Sequence, residues 1–284
     1  MTINSIFDQF LDELKSLHSE GEAVAITNII FEHFAKLTNT AIVINGEREM
    51  EEEIAVKLKR AISRLKENIP VQYIVGHAWF YNLEFHVTNA VLIPRPETEE
   101  LVLEAINFLK SNSGKKVLDI GTGSGCIPIS IKKNILEAEV TAIDVSQEAL
   151  EVARKNALTN AVEIHFLERN FLDESCYSDL PTFDLIISNP PYIPETEKAL
   201  LNKNVVDFEP HLALFVPDED HLIFYKKILL FSKNHLELNG KILLEVHEDF
   251  AKETAALFEA EKHLVDIKKD MQGKERMLLI YRCR

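Results

Sequence analysis

Asn189-Pro190-Pro191-Tyr192 follows the apolar run Phe183-Asp184-Leu185-Ile186-Ile187-Ser188, so a polar tetrapeptide stands where a buried strand should run out. An Asn side-chain oxygen and the carbonyl of the next residue can together accept both hydrogens of a planar NH2 group, and neither proline adds a competing N–H. Amide nitrogen is a poor nucleophile because its lone pair is delocalised, the resonance that flattens the peptide bond. Holding both hydrogens directs that lone pair at an electrophile, while Tyr192 can set its ring against the acceptor or a neighbouring cation. The chemistry indicated is nitrogen alkylation. A bare Pro-Pro would read as an ordinary turn; Asn before Pro-Pro-Tyr at a strand end reads as a site.

The second constellation is Val117-Leu118-Asp119-Ile120-Gly121-Thr122-Gly123-Ser124-Gly125, a short apolar strand, then glycines at alternate positions, then the helix-like Cys126-Ile127-Pro128-Ile129-Ser130-Ile131. Glycines there make a sharp strand-to-helix turn and let backbone approach a nucleotide-like ligand. The spacing is not G-x-G-x-x-G, which argues against nicotinamide and flavin cofactors, and no G-x-x-x-x-G-K-[ST] segment is present to cradle the phosphates of ATP. Asp144 ends a second apolar strand about twenty residues on, where a carboxylate can accept hydrogen bonds from two ribose hydroxyls. Its structural alternative is the N-cap of a helix over 147–157. Phe171, after a third strand, falls where a ring could lie on an adenine face or simply fill a core. These features together describe S-adenosylmethionine, whose sulfonium brings its own positive charge, with no metal required.

The glycine loop, Asp144 and Asn189-Pro190-Pro191-Tyr192 resemble the class I amino-methyltransferase fold, and more specifically the HemK/PrmC family. The specific part is upstream, where Pro70-Val71-Gln72-Tyr73-Ile74-Val75-Gly76 precedes Phe80-Tyr81 and Val91-Leu92-Ile93-Pro94-Arg95-Pro96-Glu97-Thr98-Glu99. Further matches are Phe208-Glu209-Pro210-His211-Leu212-Ala213-Leu214, Leu244-Glu245, Asp270, Gly273 and Arg276, so the resemblance runs from about residue 60 onward. It implies methylation of the side-chain amide nitrogen, N5, of the glutamine in the Gly-Gly-Gln loop of peptide chain release factors. It further implies that Gly121, Thr122, Gly123, Ser124, Gly125, Asp144, Phe171 and Asn189 bind the methyl donor. Asn189, Pro190, Pro191 and Tyr192 would hold the glutamine, with Asn189, Pro190 and Tyr192 catalytic and S-adenosylhomocysteine as the product. The chain departs from the family pattern at Arg169-Asn170, where Gly-Asp is usual, and around 247–250, where a Gly and a Gln are replaced. The resemblance places the Pro94-Arg95-Pro96 block beside the active site, where Arg95 would contact substrate or, the preferred reading, brace the Asn189 loop.

These residues need a scaffold, and 284 residues at 46% hydrophobic and 27% charged suffice for one sizeable core plus a smaller domain. Apolar stripes at helical spacing (Phe7-Phe10-Leu11-Leu14, Ile26-Ile29-Ile30-Phe34, Ile54-Leu58-Ala61-Ile62-Leu65) predict a helical substrate-recognition domain over 1–75, interrupted at most by strand-like Ala41-Ile42-Val43-Ile44. The acidic run 47–53 reads as favourable charge in the first turn of the third helix. A β-hairpin linker over 76–96 and a methyltransferase domain over 97–284 follow. Alternating strands near 116–120, 139–144, 163–167, 183–188, 240–246, 263–269 and 276–282 predict an α/β fold: a doubly wound, mostly parallel seven-stranded sheet. The connection between the last two strands is too short for a crossover helix, so one strand runs antiparallel.

The net charge of −15 argues against a phosphate-binding surface, and direct contact with nucleic acid is not expected. No apolar stretch approaches the roughly 18 residues of a membrane span, and the opening residues lack signal-peptide character, so a cytoplasmic monomer is expected. Cys126, Cys176 and Cys283 show neither a disulfide framework nor zinc-ligand spacing, the ten histidines show no metal pattern, and Ser124 does not sit in a nucleophile elbow. Two other function classes remain. A nucleic-acid adenine N6-methyltransferase would use the same clamp on a flipped base but should carry a basic groove. A noncatalytic donor-binding protein would tolerate loss of Asn189 and Tyr192.

Overall fold

The computed structural model describes residues 1–282, and Cys283 lies outside them. The chain divides into two compact units, Met1–Gly76 with Asn202–Phe208, and His77–Leu201 with Glu209–Arg284.

The first unit is helical: α1 (Ile3–Lys15), α2 (Glu20–Ala35), α3 (Asn39–Asn45), α4 (Glu52–Lys66) and α5 (Val71–Val75). The stripes read from sequence form its core, with Phe10, Leu14, Ile30, Phe31, Leu58 and Leu65 buried together. Residues 41–44 are helical, not strand. Thr38 caps α3 by accepting the Ala41 N–H at 3.3 Å, and Asn45 Nδ2 donates to Ala41 O at 2.9 Å. The β-branched run is overridden by these local bonds and by burial of Ile42. The acidic run therefore opens the fourth helix, with Glu52 and Glu53 in its first turn.

The second unit begins with the expected hairpin, β1 (His77–Phe80) and β2 (Leu83–His86). Its two-residue turn, Tyr81 and Asn82, holds left-handed φ angles of 48° and 60°, the twist a tight hairpin needs. Helix α6 (Pro96–Ser111) follows, and its buried stripe of Thr98, Leu101, Val102, Ala105 and Leu109 turns Thr98 inward with the apolar residues. Then come β3 (Lys116–Ile120), α7 (Cys126–Asn134), β4 (Glu139–Asp144), α8 (Gln147–Thr159), β5 (His165–Glu168) and β6 (Phe183–Ser188). Beyond the short pair β7 (Ile193–Pro194) and β8 (Phe215–Val216), with α9 (Lys203–Phe208) between them in sequence, lie α10 (Ile223–His235) and β9 (Leu236–Glu245). Helix α11 (Ala251–Ala260), β10 (Leu264–Lys269) and β11 (Glu275–Tyr281) complete the unit.

The main sheet has seven strands in the order β10-β11-β9-β6-β3-β4-β5. Pairs among β9, β6, β3, β4 and β5 are parallel, whereas β11 is antiparallel to both β9 and β10, as the short connection required. Because side chains alternate across a strand, Leu118, Ile186 and Leu244 enter one core layer while Val117, Leu185 and Leu243 enter the other. Among the described residues no helix is long and apolar enough to cross a membrane.

Candidate active site

Strand β3 has β4 on one side and β6 on the other, with β4 and β5 building outward in one direction and β6 and β9 in the other. Strand order reverses at β3, the place where open α/β sheets bind ligands beyond their carboxyl ends. A cavity of about 320 Å³ lies there, lined by the glycine turn, the ends of β4 and β6, and segments around 90–98 and 210–213.

Gly121, Gly123 and Gly125 hold left-handed φ angles of 75°, 53° and 79°. They do different work. A Cβ on Gly121 or Gly123 would meet nothing within 4 Å, so both leave room at the cavity wall; on Gly125 it would press on Ile129 Cδ1 at 3.0 Å and Ala153 Cβ at 3.1 Å. Gly125 therefore lets α7 start against α8. Thr122 and Ser124 line the same wall. Behind it, buried Asn156 donates to Ser124 O and His86 O, both at 2.9 Å, and accepts the His86 N–H at 2.7 Å, tying the glycine turn to the hairpin.

Asp144 ends β4 and lines the cavity. Its Oδ2 accepts the Gly123 N–H at 2.8 Å and its Oδ1 the Ser146 N–H at 2.9 Å, so each oxygen keeps a lone pair for a further donor. Burial pushes its carboxyl upward and the backbone N–H bonds oppose the rise. The helix cap is Ser146 instead, whose hydroxyl accepts the Ala149 N–H at 3.2 Å. Phe171 is a core residue with one face on the cavity: its ring lies 5.0 Å from that of Tyr177 and 5.4 Å from that of Phe231. The unusual Arg169-Asn170 is absorbed locally, Arg169 binding Asp179 and Asn170 Oδ1 accepting the Leu172 N–H at 3.1 Å.

Sequence reading passed over Asp119, although a lone acid in an apolar strand was a signal. It is fully buried, and neither carboxylate oxygen has a hydrogen-bond partner of normal geometry among the described residues. Burial raises its pKa from 3.8 to about 7, with Thr122 offsetting part of the rise and the charge of Asp144 adding to it. Asp119 does not itself line the cavity, but Ile120 and Thr122 do, and an unpartnered buried carboxylate just behind that wall suits a cationic group. The cost to the ligand-free protein is testable. A folded pKa above the unfolded one favours folding below pH 3.8 and loses that contribution as pH rises to about 7. Asp119→Asn should therefore gain stability over the parent between those limits and hold the gain above them. The expected gain is a few kcal/mol, at about 1.4 kcal/mol for each pH unit separating the two pKa values. Denaturant midpoints of both proteins at pH 4, 6 and 8 check this; a difference independent of pH would count against it.

Asn189 leaves β6 into the cavity wall, and Pro191 lines it too, whereas Pro190 and Tyr192 are not among its lining residues. The Asn189 Nδ2 donates to Thr98 Oγ1 at 3.2 Å, and Thr98 in turn donates to Glu245 Oε2 at 2.7 Å. Among the described residues no donor is bonded to Asn189 Oδ1 or to the Pro190 carbonyl. Tyr192 O–H donates to Glu245 Oε1 at 3.2 Å, and the Arg276 guanidinium lies 3.4 Å from the Tyr192 oxygen and 6.0 Å from its ring. Tyr192 thus meets a cation, as its ring chemistry allowed, on the side away from the cavity. Burial pushes the Tyr192 phenol well up, and Glu245 adds to the rise. Arg95 pairs with Glu209 Oε1 at 2.5 Å, while Glu209 Oε2 accepts the Ile93 N–H at 3.3 Å. Arg95 braces the 93–96 turn against Glu209, not the Asn189 segment. The partners Thr98, Glu209 and Glu245 were visible as motif residues, but nothing in the sequence joined them.

Residues 6–76 match the PrmC N-terminal domain model and residues 100–207 the methyltransferase small domain model. The chain is 42% identical to a release factor glutamine methyltransferase of Flavobacterium psychrophilum over 99% of each chain. It is likewise 42% identical to that of Bacteroides thetaiotaomicron over 78% of this chain and 79% of the other. Among solved structures, the hMettl16 catalytic domain aligns at a TM-score of 0.54 and 17% identity, covering 82% of each chain, a likeness of fold only. The sheet order with its single antiparallel strand is that of class I methyltransferases, and by identity sustained end to end the chain belongs to the release factor glutamine methyltransferase family.

Proposed function

We propose that this protein transfers a methyl group from S-adenosylmethionine to the side-chain amide nitrogen, N5, of the Gly-Gly-Gln glutamine in peptide chain release factors. The observation that carries the reading is Asn189 at the end of β6 in the cavity wall, its amide nitrogen bonded to Thr98 and its oxygen without a bonded donor among the described residues. Family membership supplies the substrate.

The donor, when bound, supplies an electrophilic methyl on a positive sulfur and departs as S-adenosylhomocysteine. The residues present fit it. Gly121 and Gly123 leave backbone room beside Thr122 and Ser124, Gly125 lets α7 begin against α8, Asp144 has lone pairs for ribose hydroxyls, Phe171 offers a ring to adenine, and Asp119, behind the lining residues, supplies a counter-charge for a cation. Asn189 and the Pro190 carbonyl hold the two hydrogens of the glutamine NH2, Pro191 shapes the wall, and Tyr192 keeps the tetrapeptide seated through Glu245. Transfer is direct and in line, with proximity and orientation supplying most of the rate. No strong base is needed before attack, because the nitrogen becomes acidic once alkylated and its proton passes to solvent. Residues 1–75 serve substrate recognition, 76–96 link, and 97–284 carry out transfer. The setting is the cytoplasm and the working form a monomer.

Radiolabelled S-adenosylmethionine should label a release factor of the same organism but not a copy whose Gly-Gly-Gln glutamine is replaced. Equal label in both, or label in neither, refutes the glutamine reaction.

A further inference from the structure

An asparagine side chain is ambiguous: a half-turn about its last bond exchanges an acceptor for a donor, and only the hydrogen-bond network decides which way it points. A clamp for an NH2 group works in one of those orientations. In the other it would present N–H to N–H.

The network here has a direction, and its origin is Glu245. This carboxylate is 3% exposed and ends β9. Burial pushes its pKa up, and the Thr98 hydroxyl, the Arg276 charge and the Tyr192 hydroxyl offset part of that rise. Both its oxygens accept, Oε1 from the Tyr192 hydroxyl at 3.2 Å and Oε2 from the Thr98 hydroxyl at 2.7 Å. Thr98 has one hydroxyl hydrogen, and Glu245 takes it. What Thr98 can offer Asn189 is therefore a lone pair, which only Nδ2 can satisfy, and the distance is 3.2 Å. Flipping the Asn189 amide would set its oxygen against a hydroxyl whose hydrogen is already given to Glu245, on a Thr98 that is 2% exposed although it stands in the cavity wall. The helix supports the arrangement, since Thr98 belongs to the buried stripe of α6 and cannot swing out without unpacking Leu101 and Val102.

We infer that Thr98 and Glu245 are positioning residues for the transfer: together they lock the Asn189 amide with its oxygen toward the cavity, so that the site accepts the hydrogens of a primary amide. The inference rests on Asn189 acting as the clamp. It assigns Thr98 and Glu245 no contact with the reacting atoms.

The test is steady-state methylation of a release factor by Thr98→Val, which keeps the shape and removes the hydroxyl, and by Thr98→Ser, which keeps the hydroxyl. Calorimetric titration of S-adenosylhomocysteine accompanies both. With Asn189 free to flip, kcat of Thr98→Val should fall about 10- to 100-fold, the scale of a misoriented reacting group. Affinity for S-adenosylhomocysteine and KM for the release factor should stay within about threefold, and Thr98→Ser should recover most of kcat. In an Asn189→Ala background the Thr98→Val change should cost nothing further, because a residue acting through Asn189 has nothing left to act on. Parent activity in the same assay tests the glutamine reading separately. If the parent methylates and Thr98→Val matches it, or if Thr98→Ser is as poor as Thr98→Val, or if donor affinity falls in step with kcat, the inference is overturned.

Discussion

Asn189→Ala should lower turnover by about 100- to 1000-fold, the range found when one oriented hydrogen-bonding group at a reacting centre is removed. The size follows from what the residue does. The glutamine nitrogen must give up amide resonance to attack, and in the proposed clamp the acceptors that favour that geometry are Asn189 Oδ1 and the Pro190 carbonyl. Alanine removes the first while the backbone keeps the second. Donor affinity should change far less, because the glycine turn and Asp144 stand on β3 and β4, whereas Asn189 follows β6. Single-turnover methylation of a release factor, with titration of S-adenosylhomocysteine beside it, separates the two effects. Turnover near that of the parent would remove the basis for the clamp.

Gly123→Val should do the reverse and abolish donor binding at a modest cost in stability. The φ of 53° is one that a β-branched residue adopts only under strain, of the order of 1–2 kcal/mol. The added carbons would otherwise meet no protein atom within 4 Å of Cβ, so the fold can accommodate them. They would occupy space at the cavity wall, and any backbone shift that relieved the strain would disturb the N–H that Gly123 gives Asp144 at 2.8 Å. A loss of affinity above about 100-fold, or about 2.7 kcal/mol, is expected by calorimetry, with a fall in Tm of only a few degrees. Gly125→Val should instead damage the fold, since its side chain would press into Ala153 and Ile129. Equal behaviour of the two variants would show that both glycines are merely structural.

What could be read from the sequence was local. The glycine turn, Asp144 and Asn189-Pro190-Pro191-Tyr192 each declare themselves within a dozen residues, because the turn, the strand end and the chemistry coincide there. The sheet was legible for the same reason: apolar runs alternate with helical patterns, and the short link between β10 and β11 left antiparallel pairing as the one solution. The bonds that orient the site were not. Thr98 meets Glu245 across 147 positions and Asn189 across 91, and no periodicity announces a contact of that range. Asp119 was hidden differently, its acid lying within a strand that otherwise reads as core. Residues 41–44 misled because a short apolar run with three β-branched residues fits either state, and a threonine cap settled it.

Strand β10 touches the main sheet only through β11, which lies between it and β9 although it comes later in the chain. The outer edge of the sheet thus cannot assemble in the order in which it is made: β10 reaches the sheet only once β11 is there to pair with it. Arg276 rides on β11 and Glu245 sits at the end of β9, with the Val246 N–H donating to Arg276 O at 2.9 Å. Seating the hairpin and supplying the cation beneath Tyr192 are consequently a single event. Without β11 paired to β9, Glu245 would lose its neighbouring positive charge, whereas the glycine turn and Asp144 follow β3 and β4, away from that edge. The edge pairing thus bears on the Asn189 end of the site and not on the donor end.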